Sequence, residues 1–341
     1  MVNWKRNIEY SLYDSSVYLK SNFDIRQERA IKKEDMHITY AKLCVATSKA
    51  MLTNAHVFSP YIVNFARSYF HIIPFLLTEK NGYLAFDYNN KDVLRDFSKS
   101  ARIGELAQGI NYQMCFDKLG VYAVYDYKDF IRNVAHINKK IVGQTPDFVL
   151  CYKDGTYGIL ESKGTMAADP TSFLISGNNQ VKDGSVFLGS NGIGIRNGYT
   201  SAVSFATSSK KMKRNTKIYL ADPENSEFPK INIAAKDNII RECSKYLCLA
   251  GNVELANLFK KGLSEITTIR NKLESRVSIE DYVVGAFEMF LEKDKVSRIE
   301  MGLSKRLLEY IMNDKKERMD FEAWSEPNVE YFADGTFIRM V

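Results

Sequence analysis

Two acids and a lysine stand close together near the middle of the chain, in Thr145-Pro146-Asp147-Phe148-Val149-Leu150 and Ile159-Leu160-Glu161-Ser162-Lys163-Gly164. Between them lies Lys153-Asp154-Gly155, flanked by apolar and aromatic runs, which predicts a hairpin with strands at 147–152 and 157–163. Residues i and i+2 of a strand share a face, so Glu161 and Lys163 project together. With a three-residue loop and Gly155 in the left-handed region, Tyr152 pairs with Thr156 and Asp147 falls opposite Glu161. A two-residue Asp-Gly turn instead opposes Asp147 to Ser162 and splits the site. Directly opposed side chains have Cβ atoms about 4.5–5.5 Å apart, so two carboxylates there repel unless a cation lies between them. A divalent ion that prefers oxygen ligands, Mg²⁺ or Mn²⁺, meets that need. Such an ion neutralises charge at a phosphodiester undergoing hydrolysis and lowers the pKa of a bound water. Lys163 would orient that water or stabilise the developing charge, and Gly164 would leave room for the substrate backbone. The plain alternative is a surface hairpin in which Lys163 pairs with one of the acids.

Elements on either side must hold this hairpin. Ile103, Leu106, Ile110 and Met114 recur at helical spacing, which predicts a helix over 101–119, with Ser100 to cap it and Gly120 to end it. Val121–Tyr125 reads as a strand, and so do 202–207 and 217–221. The order helix, strand, hairpin, helix, strand is an α/β arrangement. Residues 93–232 are therefore expected to form the core. Residues 1–92 form an N-terminal α+β extension in this reading, with helices over 34–55 and 61–77. Residues 233–341 are expected to be mostly helical, with a helix start at Ser278-Ile279-Glu280-Asp281 and a terminal hairpin over 328–341 that turns at Asp334-Gly335.

Pro146-Asp147 followed by Glu161-Ser162-Lys163 resembles the PD-(D/E)xK nuclease superfamily, over roughly residues 100–222. The resemblance implies a restriction-endonuclease-like mixed sheet flanked by helices. It makes Asp147 and Glu161 metal ligands and Lys163 the catalytic lysine. Members of the superfamily also carry a glutamate on the helix before the sheet, which matches Glu105, and some carry a glutamine on a later helix, which matches Gln180. As plain helix residues, Glu105 is a glutamate favoured by the helix dipole and Gln180 a solvated side chain. The implied reaction is Mg²⁺- or Mn²⁺-dependent hydrolysis of DNA, with restriction or defence against foreign DNA as the setting. Two other readings stand beside it: a nucleic-acid-binding or scaffold subunit of a larger complex that does not cleave, and a nuclease directed at RNA. The family habit leaves room for homo-oligomers or partner subunits.

Composition narrows the field without choosing among these. The 341 residues carry a formal net charge of +6, which permits a polyanionic partner. The densest basic run is Ser208-Ser209-Lys210-Lys211-Met212-Lys213-Arg214, so Lys210, Lys211, Lys213 and Arg214 are candidates for a phosphate backbone, with a solvated loop as the alternative. Lys139-Lys140 is a second, smaller candidate. Gly189, Gly192, Gly194 and Gly198 match no phosphate-binding pattern and are expected to form a mobile loop near the site. No G-x-S-x-G or H-E-x-x-H occurs, which disfavours serine hydrolases and zincins. Five scattered cysteines without a CxxC pair, and four scattered histidines, disfavour a structural zinc and point to reduced thiols. With no secretory leader and no apolar run of membrane-spanning length, the expected location is cytoplasmic, away from membranes.

Overall fold

The structure is a computed structural model. It describes residues 5–14, 23–52, 57–90, 93–141, 143–222, 235–274, 281–292, 295–313, 321, 323–326 and 328–341. In chain order its elements are β1 (Lys5–Asp14), β2 (Lys32–Thr39), α1 (Tyr40–Ala50), α2 (Pro60–Arg67), α3 (Tyr69–Leu76), β3 (Leu77–Lys80), β4 (Tyr83–Phe86), α4 (Asp96–Lys118), β5 (Val121–Asp126) and the one-turn α5 (Tyr127–Asp129). There follow β6 (Phe148–Tyr152), β7 (Tyr157–Thr165), α6 (Thr171–Ser190), β8 (Ile195–Ser204), β9 (Lys217–Asp222), α7 (Ala235–Ala250), α8 (Val253–Lys260) and α9 (Ile266–Glu274). The chain closes with β10 (Tyr282–Glu292), β11 (Lys295–Leu303), α10 (Lys305–Met312), β12 (Trp324–Glu326), β13 (Val329–Tyr331) and β14 (Thr336–Met340). The fold is α/β.

Two compact units share the chain. One takes residues 5–38 and 72–231, the other residues 1–4, 39–71 and 232–341. The expected N-terminal extension therefore does not stand apart. Its strands join the central sheet of the first unit, and its helices α1 and α2 go with the C-terminal half. The expected helix over 34–55 begins only at Tyr40, because Met36 and Ile38 are buried between the more exposed Asp35 and His37. That period of two builds β2, which pairs with β1.

The first unit is built on a nine-stranded mixed sheet of order β3-β4-β1-β9-β8-β7-β6-β5, with β2 also on β1. The predicted core elements are present, some with other bounds. The helix starts at Asp96, so Ser100 lies inside it, and Gly120 ends it in the left-handed region at φ +66°. β8 starts seven residues earlier than expected, at Ile195. β7 and β8 run parallel while β6 runs antiparallel to β7, so the start of β6 lies at the end of the sheet where β7 and β8 finish.

The second unit carries a five-stranded antiparallel sheet, β10-β11-β14-β13-β12. The terminal hairpin is as expected, with Gly335 at φ +81°. Residues 281–303, expected to be helical, are a β-hairpin instead. Buried Ile299, Met301 and Leu303 alternate with Arg298 and Glu300, which is strand periodicity. Ser278, Ile279 and Glu280 lie outside the described residues. Inside this unit Lys49 is buried between Glu242 (Oε1 at 2.6 Å) and Asp334 (Oδ2 at 2.7 Å), which ties α1, α7 and the terminal turn together.

Candidate active site

The β6–β7 hairpin decides the geometry. Tyr152 N–H donates to Thr156 O at 3.0 Å and Gly155 N–H to Tyr152 O at 2.9 Å, with Gly155 at φ +82°. The loop is the three-residue form, stiffened by Asp154 Oδ1, which accepts from the Thr156 hydroxyl at 2.6 Å. Phe148 is paired with Leu160 and Val149 with Ile159, so the next step of the ladder sets Asp147 against Glu161.

Asp147 sits just before β6 and is fixed from three sides. Its carbonyl accepts from Tyr127 N–H at 2.9 Å. Its Oδ2 accepts from Ser162 N–H at 2.9 Å and its Oδ1 from Gln108 Nε2 at 3.1 Å. Behind it, Asn111 of α4 donates to Ser162 Oγ and accepts from Ser201 Oγ, both at 2.7 Å, and so pins α4 beneath β7 and β8.

Glu161 points the other way from Ser162, under α6. It is only 2% exposed. Its Oε1 meets Lys163 Nζ at 2.5 Å, and Nζ also donates to Gln180 Oε1 at 2.6 Å. Gln180 in turn reaches Thr145 O at 3.4 Å. Gln180 is thus part of the arrangement rather than a solvated helix residue. Two glycines let α6 lie this close. A Cβ at Gly177 would stand 2.4 Å from Thr200 Cγ2 and 3.2 Å from Glu161 Cγ, and one at Gly184 would stand 2.5 Å from Pro146 Cδ. Gly164 also has a packing role, since a Cβ there would stand 2.5 Å from Ile103 O of α4.

Electrostatics single out the acid pair. Burial pushes Glu161 up to about 8, helped by the negative charge of Asp147; Lys163 and the Asp147 amide pull it down. Burial likewise pushes Asp147 up to about 6, opposed by the Ser162 amide, Lys163 and Gln108, with Asp126 at the end of β5 adding to the rise. The pair therefore keeps one proton near neutrality, on Glu161, unless a cation replaces it. Among the described residues Glu161 Oε2 has no hydrogen-bond partner although it is buried, and the same is true of Thr200 Oγ1 on the neighbouring strand. Buried oxygens without partners are rare in folded proteins. Two oxygen-bearing acids, one with an unmatched buried atom, fit a hard divalent cation. Asp147 and Glu161 would hold it. Among the described residues no group of three or more His, Cys, Asp or Glu is placed to do so.

Other predicted residues fall as follows. Glu105 is paired with Arg102 at 2.6 Å, and it is Gln108, one turn later on α4, that reaches Asp147. Lys210, Lys211 and Lys213 are exposed in the loop after β8, at the sheet end where β7 finishes. Arg214 departs from the expectation. Its guanidinium donates to Ser204 O (3.3 Å) and Oγ (2.7 Å), Met166 O (2.7 Å) and Phe205 O (2.6 Å), so it holds that loop to the end of β7 rather than facing outward. The glycine-rich stretch is also corrected. Gly189 ends α6, Gly192 turns at φ +81° and Gly198 lies in β8, at the sheet end remote from Lys163.

Sequence reasoning missed Gln108, Asp126 and Thr200. Gln108 lies three residues after Glu105, so the choice between them turned on helix rotation. Asp126 and Thr200 gave no local signal, since only strand pairing brings them beside the acids. Comparison with protein-family models, curated proteins and solved structures finds no match for the chain.

Proposed function

We propose that this chain is a metal-dependent nuclease of the PD-(D/E)xK type that hydrolyses phosphodiester bonds in DNA. The observation that carries the reading is the pairing of Asp147 with Glu161 across the strand ends, with Glu161 Oε2 buried and unmatched among the described residues and Lys163 beside it. A bound Mg²⁺ or Mn²⁺ would neutralise charge at the scissile phosphate and lower the pKa of its water. Asp147, held by Ser162 and Gln108, and Glu161, roofed by α6, supply the anionic seat. Lys163, steered by Gln180, places a positive charge where a phosphoryl oxygen gathers negative charge. Lys210, Lys211 and Lys213 offer the phosphate backbone positive charge at the same end of the sheet.

The rival reading, a nucleic-acid-binding subunit that does not cleave, draws support from the Glu105–Arg102 pair, which leaves two converging carboxylates rather than three. Incubation with plasmid and Mn²⁺ separates them, using the wild type and the variants Asp147→Ala and Lys163→Ala. Metal-dependent nicking that both substitutions abolish is expected. Nicking that survives both overturns the site, and salt-sensitive binding with no nicking in the wild type supports the rival. Matched RNA and DNA duplexes assign the substrate.

A further inference from the structure

The second unit carries a compact cavity of about 210 Å³ lined by Asp281, Lys305, Arg306, Phe321, Trp324 and Tyr331, with Gly335 at its margin. Its wall is aromatic by construction. β12 and β13 pair antiparallel with Trp324 opposite Tyr331, so their rings meet face to face, with centroids 4.1 Å apart and planes 7° apart. Despite this stacking Trp324 remains 47% exposed, a large apolar surface on a solvent-facing strand. Tyr331 is locked in place by its hydroxyl, which donates to Asp281 Oδ2 at 2.5 Å. Asp281 Oδ1 accepts from Lys305 N–H at 2.9 Å, which fixes the start of α10 at the mouth of the cavity. The first two side chains of α10, Lys305 and Arg306, are both exposed. A rigid aromatic wall and a carboxylate at its foot thus share one small space with Lys305 and Arg306 in its lining, where Lys305 Nζ has only a long, exposed contact to Glu309 Oε1 at 3.8 Å.

We propose that this cavity binds a nucleotide unit of single-stranded nucleic acid, the base on the aromatic wall of Trp324 and the phosphate at Lys305 and Arg306. A planar base matches a volume below that of an ordinary drug-sized pocket. Stacking on indole is tolerant of base identity because every base presents a π-face. The Asp281 carboxylate retains acceptor capacity for the exocyclic amine or ring N–H of a base. The rim cations complement a phosphate and would be ill-suited to a neutral or basic peptide. The proposal does not depend on cleavage by the other unit, and a chain that cleaves nothing could still bind in this way.

The chain has only two tryptophans, Trp4 and Trp324, so a Trp4→Phe background makes Trp324 the sole indole reporter. Titration of this full-length protein with a single-stranded deoxyoligonucleotide, in EDTA to prevent cleavage, is expected to quench its fluorescence. In the wild-type background, anisotropy of a labelled oligonucleotide should show binding about tenfold to a hundredfold weaker for Trp324→Ala and much less weakened for Trp324→Phe, which keeps a stacking ring. Lys305→Ala and Arg306→Ala should each lower the slope of log affinity against log salt by about 0.7. Absence of quenching, with anisotropy unchanged in Trp324→Ala and in Lys305→Ala/Arg306→Ala, overturns the proposal. Quenching by an acidic peptide but not by the oligonucleotide also overturns it, in favour of a peptide. Quenching of Trp324 is read in EDTA, where nothing is cleaved, and plasmid nicking is read separately with Mn²⁺, so failure of this proposal and failure of the nuclease reading are told apart.

Discussion

Glu161→Gln keeps the shape of the side chain and removes its charge. In the folded chain, burial beside Asp147 pushes Glu161 from its ordinary 4.5 up to about 8. An acid raised in this way keeps a proton in the folded state that the unfolded chain has released. Folding stability therefore declines as pH rises from about 4.5 to about 8 and stays low above that window. At 1.36 kcal/mol per pKa unit, the gap corresponds to on the order of 5 kcal/mol. The glutamine variant escapes this penalty but loses the charge that meets Lys163 Nζ at 2.5 Å. A net gain of roughly 2–4 kcal/mol over the wild type is expected at pH 9 without metal, shrinking to about zero near pH 5. Urea denaturation in EDTA at pH 5, 7 and 9 measures it. Added Mn²⁺ should reverse the order: at a hundred times its dissociation constant it stabilises the wild type by about 2.7 kcal/mol, and it should do little for Glu161→Gln. A variant less stable than the wild type at pH 9 in EDTA would refute the reasoning, because the ion pair with Lys163 would then outweigh burial. Equal stabilisation of both proteins by Mn²⁺ would refute the assignment of Glu161 as a ligand.

Gln108→Ala removes a donor from Asp147 Oδ1, so Asp147 should rise further; cleavage should fall about tenfold, with the acid limb of the pH–rate profile moved to higher pH. Cleavage by the wild type should itself weaken as pH drops from about 8 towards 6, because protons then compete with the cation for Glu161 and Asp147; the Mn²⁺ dissociation constant measured across that range checks the sign. Gly177→Ala places a Cβ 2.4 Å from Thr200 Cγ2, so α6 must shift, at a cost of about 1–3 kcal/mol, and Gln180 should lose its hold on Lys163; chemical denaturation and single-turnover cleavage read the two effects. Lys49→Met removes the buried cation that Glu242 and Asp334 share, and denaturation should show a loss of about 3–5 kcal/mol.

The sequence by itself determined what depends on a few neighbouring residues. Gly155 accepts a positive φ that other residues resist, so a hairpin turning at Asp154-Gly155 was legible in the sequence, with two registers open to it; the three-residue loop that sets Asp147 against Glu161 came with the folded ladder. The Asp334-Gly335 turn and the helix ended by Gly120 were legible for the same reason. The alternation at Met36 and Ile38, and at Ile299, Met301 and Leu303, was also present in the sequence, but the surrounding residues favoured helix and masked it. Tertiary structure alone decided the rest. β1 finds its partner β9 two hundred residues away, a pairing no local pattern records, and with it the first residues join the central sheet rather than forming an extension. Asp126 and Thr200 join the acids only because β5 and β8 flank the hairpin. Gln108 rather than Glu105 meets Asp147 because Ile103 and Ala107 of α4 pack against Gly164, and Arg102 holds Glu105 aside. Backbone preference acts over a few residues, whereas burial and charge act between whichever side chains the completed sheet brings together.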